Sequence, residues 1–373
     1  MLEQIASAFE RQDYKTAANL IKKLLKQEPQ NLWGRLYVGR LYEETGKFEL
    51  AEDVYRQLLR QPTLNTRIAT QARTGLQRLE NRIKQQRETA IAQAKAIPDN
   101  NKPGLLILEP VSGEMRTKIV QNFARLMNID AYTAQRQLPA RFWRLHRLGS
   151  IGELQVYAQE LQDVGIACFW VPLADIARIR VFQVQYFSAL SPQPTVICQD
   201  EANQVGTLTF NWSDVAQRVE GRLPIFESVI DLDFRGRQER KEKTQDYIQI
   251  HDLHLPSRNC ILRLCESSYQ YQEGITALAT SQALNQQSNR LNWNHLLQQL
   301  NQPLAQTPTW SDFTVFGEMV LEQSKTVVDT THFLGGFDSH IRLSRRAETD
   351  WDPAFQLYSG LVFLRNQSLQ TPA

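Results

Sequence analysis

The chain is 373 residues long, is 42% hydrophobic by composition and carries a formal net charge of +2 at neutral pH. That length is enough for roughly two to four domains, and the apolar content excludes a chain that is disordered throughout. The near balance of 42 Lys and Arg against 40 Asp and Glu leaves no electrostatic footprint of a nucleic-acid-binding protein.

The four cysteines, Cys168, Cys198, Cys260 and Cys265, are dispersed and flanked mostly by apolar residues. They read as buried free thiols in a reducing compartment. The amino terminus, MLEQIASAFERQDYK, lacks the basic start and long apolar stretch of a signal peptide. No apolar run approaches the roughly 20 residues of a membrane span. A soluble, cytoplasmic protein is expected.

In chain order, Ile5, Ala8 and Phe9, then Ala17, Leu20, Ile21 and Leu24, recur at helical spacing. From Asn31 to Leu64 the pattern returns with sharper features. Gly39 and Tyr42 fall on a first helix, Gly46 at a turn, and Ala51 and Tyr55 on a second helix. Small residues at Gly39 and Ala51 let two backbones approach, while Tyr42 and Tyr55 fill the space beside them. Tyr14 and Ala17 precede Phe48 and Ala51 by one period of about 34 residues. Pro29 and Pro62 close successive units. Residues 1–64 thereby resemble two tetratricopeptide repeats. The resemblance implies helical hairpins whose first helices line a concave surface that binds a partner protein. Trp33, Leu36, Tyr37 and Arg40 fall on or near that surface, and aromatic and arginine side chains supply most interface energy once desolvated.

A third helix begins near Thr66 and runs through Ala69, Ala72, Leu76, Leu79, Ile83 and Ile91, with Gly75 its only glycine and no proline before Pro98. It is expected to cap the exposed apolar face of the second repeat. Residues 98–103, PDNNKP, then form the clearest linker.

Beyond the linker, strands and helices alternate. Gly104–Glu109 and Ile166–Val171 are compact apolar strands, and Phe142–Leu148 alternates with Phe142, Arg144, His146 and Leu148 on one face. Glu114–Met127, Ala131–Leu138 and Ile151–Val164 are helical. This β-α-α-β-α-β order resembles the carboxy-terminal domain of the bacterial ribosomal stalk protein and the adaptor of the Clp protease. The likeness implies a small two-layer domain and brings no binding residues with it.

From Val181 the period turns mostly to two: VFQVQYF, TVICQ, GTLTFNW, PIFESVI, DYIQIHD and NCILRLC are separated by Pro, Gly, Asn and Ser clusters. A mainly antiparallel, pleckstrin-homology-like or split-barrel sheet is expected, with a short helix capped by Ser213 and a basic loop at Arg235–Lys243. Helices are expected at 291–300 and 312–328, and Asp352-Pro353 starts an apolar last helix that docks on the sheet. The fold class is therefore multidomain α+β. The expected domains are 1–97 (repeats and cap), 104–176 (small α/β), 177–272 (β-rich) and 273–373 (helical, packed on the sheet).

Catalytic patterns are sparse. His251-Asp252-Leu253-His254 is the densest cluster of metal-ligand types, but on a strand His251 and His254 face opposite ways. His332, Asp338 and His340 form a second cluster, and neither has the paired-histidine helix spacing of zinc enzymes. Cys260 and Cys265 also fall on opposite faces. Gly335-Gly336 reads as a plain turn, EPVSGE at 109–114 lacks the lysine of a phosphate loop, and no Ser-His-Asp set stands out. No metal or cofactor is expected, and the histidines read as surface or loop residues. The sequence thus points to a non-catalytic adaptor that binds a partner protein through Trp33, Leu36, Tyr37 and Arg40. Two rival readings are a peripheral protein binding anionic lipid through the loop at 235–243, and an enzyme of unfamiliar type in the carboxy-terminal half.

Overall fold

The computed structural model describes residues 1–62, 65–111, 113, 115–232, 238–275, 288–326 and 351–370, with the backbone alone at 227–232, 238–243, 323–326 and 366–370. The chain divides into two compact units, Met1–Ala94 and Lys95–Ala373.

The first unit is all helical: α1 (Leu2–Glu10), α2 (Tyr14–Gln27), α3 (Leu32–Glu44), α4 (Phe48–Leu59) and α5 (Thr66–Lys95). Short polar side chains start the inner helices, because the first turn leaves backbone N–H groups without helical partners. Asp13 accepts from the Thr16 N–H and Asn31 from the Gly34 N–H, both at 3.0 Å. Gly46 at φ +75° makes the turn between α3 and α4, a left-handed conformation that favours glycine. Ile5, Ala8, Phe9, Ala17, Ile21 and Leu24 knit α1 to α2. Leu36, Ala51, Tyr55, Leu58, Ile68, Ala72 and Leu79 knit α3, α4 and α5. α5 runs 30 residues without a break at Gly75.

The segment expected to be a linker is a hydrogen-bonded turn. Lys102 N–H donates to the Asp99 carbonyl, and the carbonyls of Lys102 and Asn100 accept from Ile151 and Gly152. Those two N–H groups open a helix, so the turn supplies acceptors that the helix start lacks.

The second unit begins β1 (Pro103–Leu108), α6 (Arg116–Met127), α7 (Ala131–Gln137), β2 (Arg144–Ser150), α8 (Ile151–Asp163) and β3 (Cys168–Pro172). The strands form a three-stranded antiparallel sheet in the order β2-β1-β3. An irregularity between Leu106 and Ile107 leaves His146 outside the register, so Leu148 joins Leu145 in the same cluster. The even alternation expected for 142–148 is broken there. α6, α7 and α8 cover one face through Phe123, Ala134, Leu138, Leu154 and Leu161.

After α9 (Leu173–Ala177) come β4 (Arg180–Ala189), β5 (Thr195–Gln199), β6 (Val205–Thr209), β7 (Gln217–Leu232), β8 (Gln238–Leu255), β9 (Cys260–Cys265), α10 (Asn289–Asn301), β10 (Thr309–Trp310), α11 (Phe313–Thr326) and α12 (Trp351–Gln370). The seven-stranded sheet has the order β10-β7-β8-β9-β4-β5-β6. It is open and mixed: β4 runs parallel to β9, and β10 parallel to β7. Four of its six strand pairings are antiparallel, as the alternating sequence predicts, but the strands form an open sheet in place of the expected pleckstrin-homology-like or split-barrel form. Ser213 caps no α-helix; Trp212–Asp214 is a single 3-10 turn, and β7 has begun by Gln217. Residues 238–243, expected in a basic loop, continue β8, while 233–237 lie outside the described residues.

α10 covers one face of this sheet through Trp293, Leu296 and Leu300. α11 and α12 lie on the other, where Phe313, Phe316, Phe355 and Tyr358 meet Val219, Leu223, Ile248 and Ile250. The same cluster holds Leu105, Ile107, Leu145 and Phe169 of the three-stranded sheet. Both sheets therefore share one core, with α11 and α12 as its middle layer. The close fit of α12 needs glycine below it: a Cβ at Gly221 would lie 2.4 Å from Cε2 of Phe355.

Candidate functional site

In the first unit one side chain fixes three helices. The Tyr55 ring, 1% exposed, lies between α3 and α5. A Cβ at Gly39 would sit 2.6 Å from its Cε1, and one at Gly75 would sit 2.6 Å from its Cε2. Gly75 is therefore the notch that lets the capping helix close on Tyr55. The Tyr55 hydroxyl donates to Glu43 Oε2 at 2.8 Å, and Arg78 donates to both oxygens of that carboxylate at 2.8 and 2.9 Å. Burial raises the Glu43 pKa, but the bonds from Arg78 and Tyr55 outweigh it and hold the carboxyl below its ordinary value of 4.5. The sign of the stability effect follows. A depressed carboxyl stabilises above its unfolded value, and that contribution is lost as pH falls through the lower folded value. Thermal melts of the full chain between about pH 3 and 6 are expected to show the first unit weakening below its plateau, with a shallower slope for Glu43→Gln. Equal slopes would show that Glu43 is uncharged in the fold.

Of the four residues expected to meet a partner, Leu36 is core. It is 5% exposed and packs with Tyr55 and Ile68, because α5 lies over that stripe of α3. The other three reach the surface in two places. Trp33 is partly buried against the same cluster, with the Arg67 guanidinium 5.8 Å from its ring centre. Tyr37 stacks on Phe9 of α1 at 5.6 Å, and the exposed Arg40 sits 4.9 Å from the centre of that ring.

In the second unit the structure gathers a set that sequence spacing did not nominate. Asp252 of β8 and Arg263 of β9 are cross-strand neighbours joined by two hydrogen bonds, Nε to Oδ1 at 2.8 Å and Nη2 to Oδ2 at 2.7 Å. Ser359 of α12 donates to Asp252 Oδ2 at 2.6 Å and stands 2.9 Å from His254 Nε2. Gln217 Nε2 lies 3.1 Å from His254 Nδ1 and donates to the Val362 carbonyl at 2.7 Å. The signal was present but subtle. Asp252 and His254 continue the alternating phase of the buried Ile248 and Ile250, so His254 is an interior residue and not the surface or loop histidine expected.

This set contains serine, histidine and aspartate, but its proton arrangement is wrong for nucleophilic catalysis. The Ser359 proton is committed to Asp252, so His254 Nε2 carries the hydrogen and donates to Ser359. Gln217 then donates to Nδ1. A catalytic base must instead accept from the hydroxyl. Burial presses the His254 pKa down to about 3, which keeps the ring neutral. Asp252, His254 and Ser359 are all fully buried, so a substrate has no approach. The arrangement stitches α12 to the sheet centre.

His251 points to the other sheet face, buried beside Glu220, whose Oε1 is 3.5 Å from its Nδ1. Among the described residues no three His, Cys, Asp or Glu side chains are placed to share a metal ion. His332, Asp338, His340 and Gly335-Gly336 lie outside the described residues. All four cysteines are buried free thiols; burial pushes Cys168 and Cys198 up to about 11, which suppresses thiolate chemistry. Cys260 and Cys265 join opposite cores. The open grooves among the described residues include two of similar size. One, of about 470 Å³, runs between Phe48 and the outer half of α5 at Arg82, Gln86 and Thr89. The other, of about 500 Å³, is lined by Tyr132, Arg136, Arg144, Glu318 and Glu322. No helix among the described residues is long and apolar enough to cross a membrane.

No curated protein and no solved structure matches the chain significantly. A family model described as tetratricopeptide repeat matches residues 8–73, from the end of α1 into α5. The match takes in the end of α1, all of α2, α3 and α4, and the start of the helix notched for Tyr55, so that residues 8–73 form a tetratricopeptide-repeat region within the amino-terminal unit.

Proposed function

We propose that the protein is a non-catalytic adaptor that holds a partner protein through its repeat unit. Repeats of this kind generally mediate protein–protein interaction. The observation that carries the reading is the Phe9–Tyr37–Arg40 stack on α1 and α3, an aromatic pair topped by an exposed guanidinium. Rigid aromatics and arginine make good anchors because they present large contact areas at low entropic cost. Trp33, one turn earlier on α3, offers a second contact point beside Arg67. Affinity capture with the full chain, followed by binding measurements on the captured protein, tests this. Tyr37→Ala is expected to weaken binding by about thirtyfold, the loss of an anchor worth roughly 2 kcal/mol. Phe48→Ala in the α5 groove is expected to leave it unchanged. The opposite ranking would move the interface to that groove.

A further inference from the structure

The two edges of the seven-stranded sheet are built differently. Beyond the two-residue β10, the β7 edge carries Glu220, Arg222 and Pro224, the charged and proline residues that block edge-to-edge pairing. β6 at the opposite edge has none of these. Its sequence is VGTLT, it is uncharged and free of proline, and its register with β5 contains no bulge. Val205 is 60% exposed.

Hydrogen bonds flanking the β5–β6 hairpin fix which way its backbone points. Asp200 N–H donates to the Gln204 carbonyl, and Phe210 N–H donates to the Pro194 carbonyl. In an antiparallel ladder inward and outward groups alternate. Gly206 and Leu208 therefore bond to β5, and Val205, Thr207 and Thr209 turn their N–H and C=O groups outward. Among the described residues no strand pairs with that side.

We propose that this edge joins the same edge of a second copy, antiparallel and centred on Thr207. The pattern is self-complementary. A twofold axis at Thr207 sets Thr207 opposite its own copy and Val205 opposite Thr209, each pair exchanging main-chain hydrogen bonds. The facing side chains are β-branched, which suits cross-strand packing. Charge also permits the pairing along the strand: in this register Gln204 and Asn203 face Phe210 and Asn211 of the other copy, and all four are uncharged.

The test is sedimentation velocity of the full chain over a range of micromolar concentrations, with two variants that differ in one sign. Val205→Lys with Thr209→Lys places lysine opposite lysine across the axis and is expected to weaken the dimer at least about tenfold. Val205→Lys with Thr209→Glu places lysine opposite glutamate and is expected to restore it. Both variants alter the same exposed positions, so unchanged melting temperatures confirm that the fold is intact. A chain that stays monomeric throughout overturns the proposal, as does a dimer indifferent to the two variants.

Discussion

Asp252→Ala is expected to destabilise the second unit by about 3–5 kcal/mol. The substitution leaves Arg263, which is 1% exposed, with an uncompensated charge and removes the acceptor for Ser359. Stripping one partner from a buried pair costs more than removing the pair, because the desolvated partner has nowhere to turn. Asp252→Leu with Arg263→Met is therefore expected to recover most of the loss. Urea unfolding of the full chain, followed by tryptophan fluorescence, reads both variants, since Trp293 is fully buried in this unit. A double variant as unstable as the single one would mean that the network supplies more than charge compensation.

Tyr55→Ala is expected to cost the repeat unit about 3–5 kcal/mol, the range for emptying a buried aromatic site. The ring fills the space between the Gly39 and Gly75 notches, and the cavity would open where three helices meet. Tyr55→Phe keeps the ring and drops only the bond to Glu43, with an expected cost of about 1.5–3 kcal/mol for a hydrogen bond to a charged group. Helical melting by circular dichroism ranks the two. If alanine and phenylalanine cost the same, the hydroxyl and not the ring fixes α5.

Both centres were half legible in the sequence. Helical period and small-residue placement gave the repeats because hairpin packing is local, and Gly39, Ala51 and Tyr55 sit where steric reasoning puts them. The role of Gly75 is not legible, since nothing in its own helix shows that a tyrosine twenty residues earlier fills the space of its missing side chain. Leu36 was assigned to an open surface for the same reason: only the placement of α5 buries it. Strand positions such as 195–199 were clear from alternation, whereas the parallel join of β4 to β9 depends on long-range pairing that no local pattern encodes. Asp252, His254, Arg263 and Ser359 come from three elements, and their meeting required the fold.

The adaptor reading is tested most directly by calorimetric titration of the captured partner into the full chain and into Arg40→Glu. Arg40 is exposed, and its contact with Phe9 contributes only about 0.5–1 kcal/mol to the fold. Affinity is predicted to fall by about thirtyfold or more while the melting temperature moves by a few degrees at most. Equal affinity for the two proteins would contradict the account.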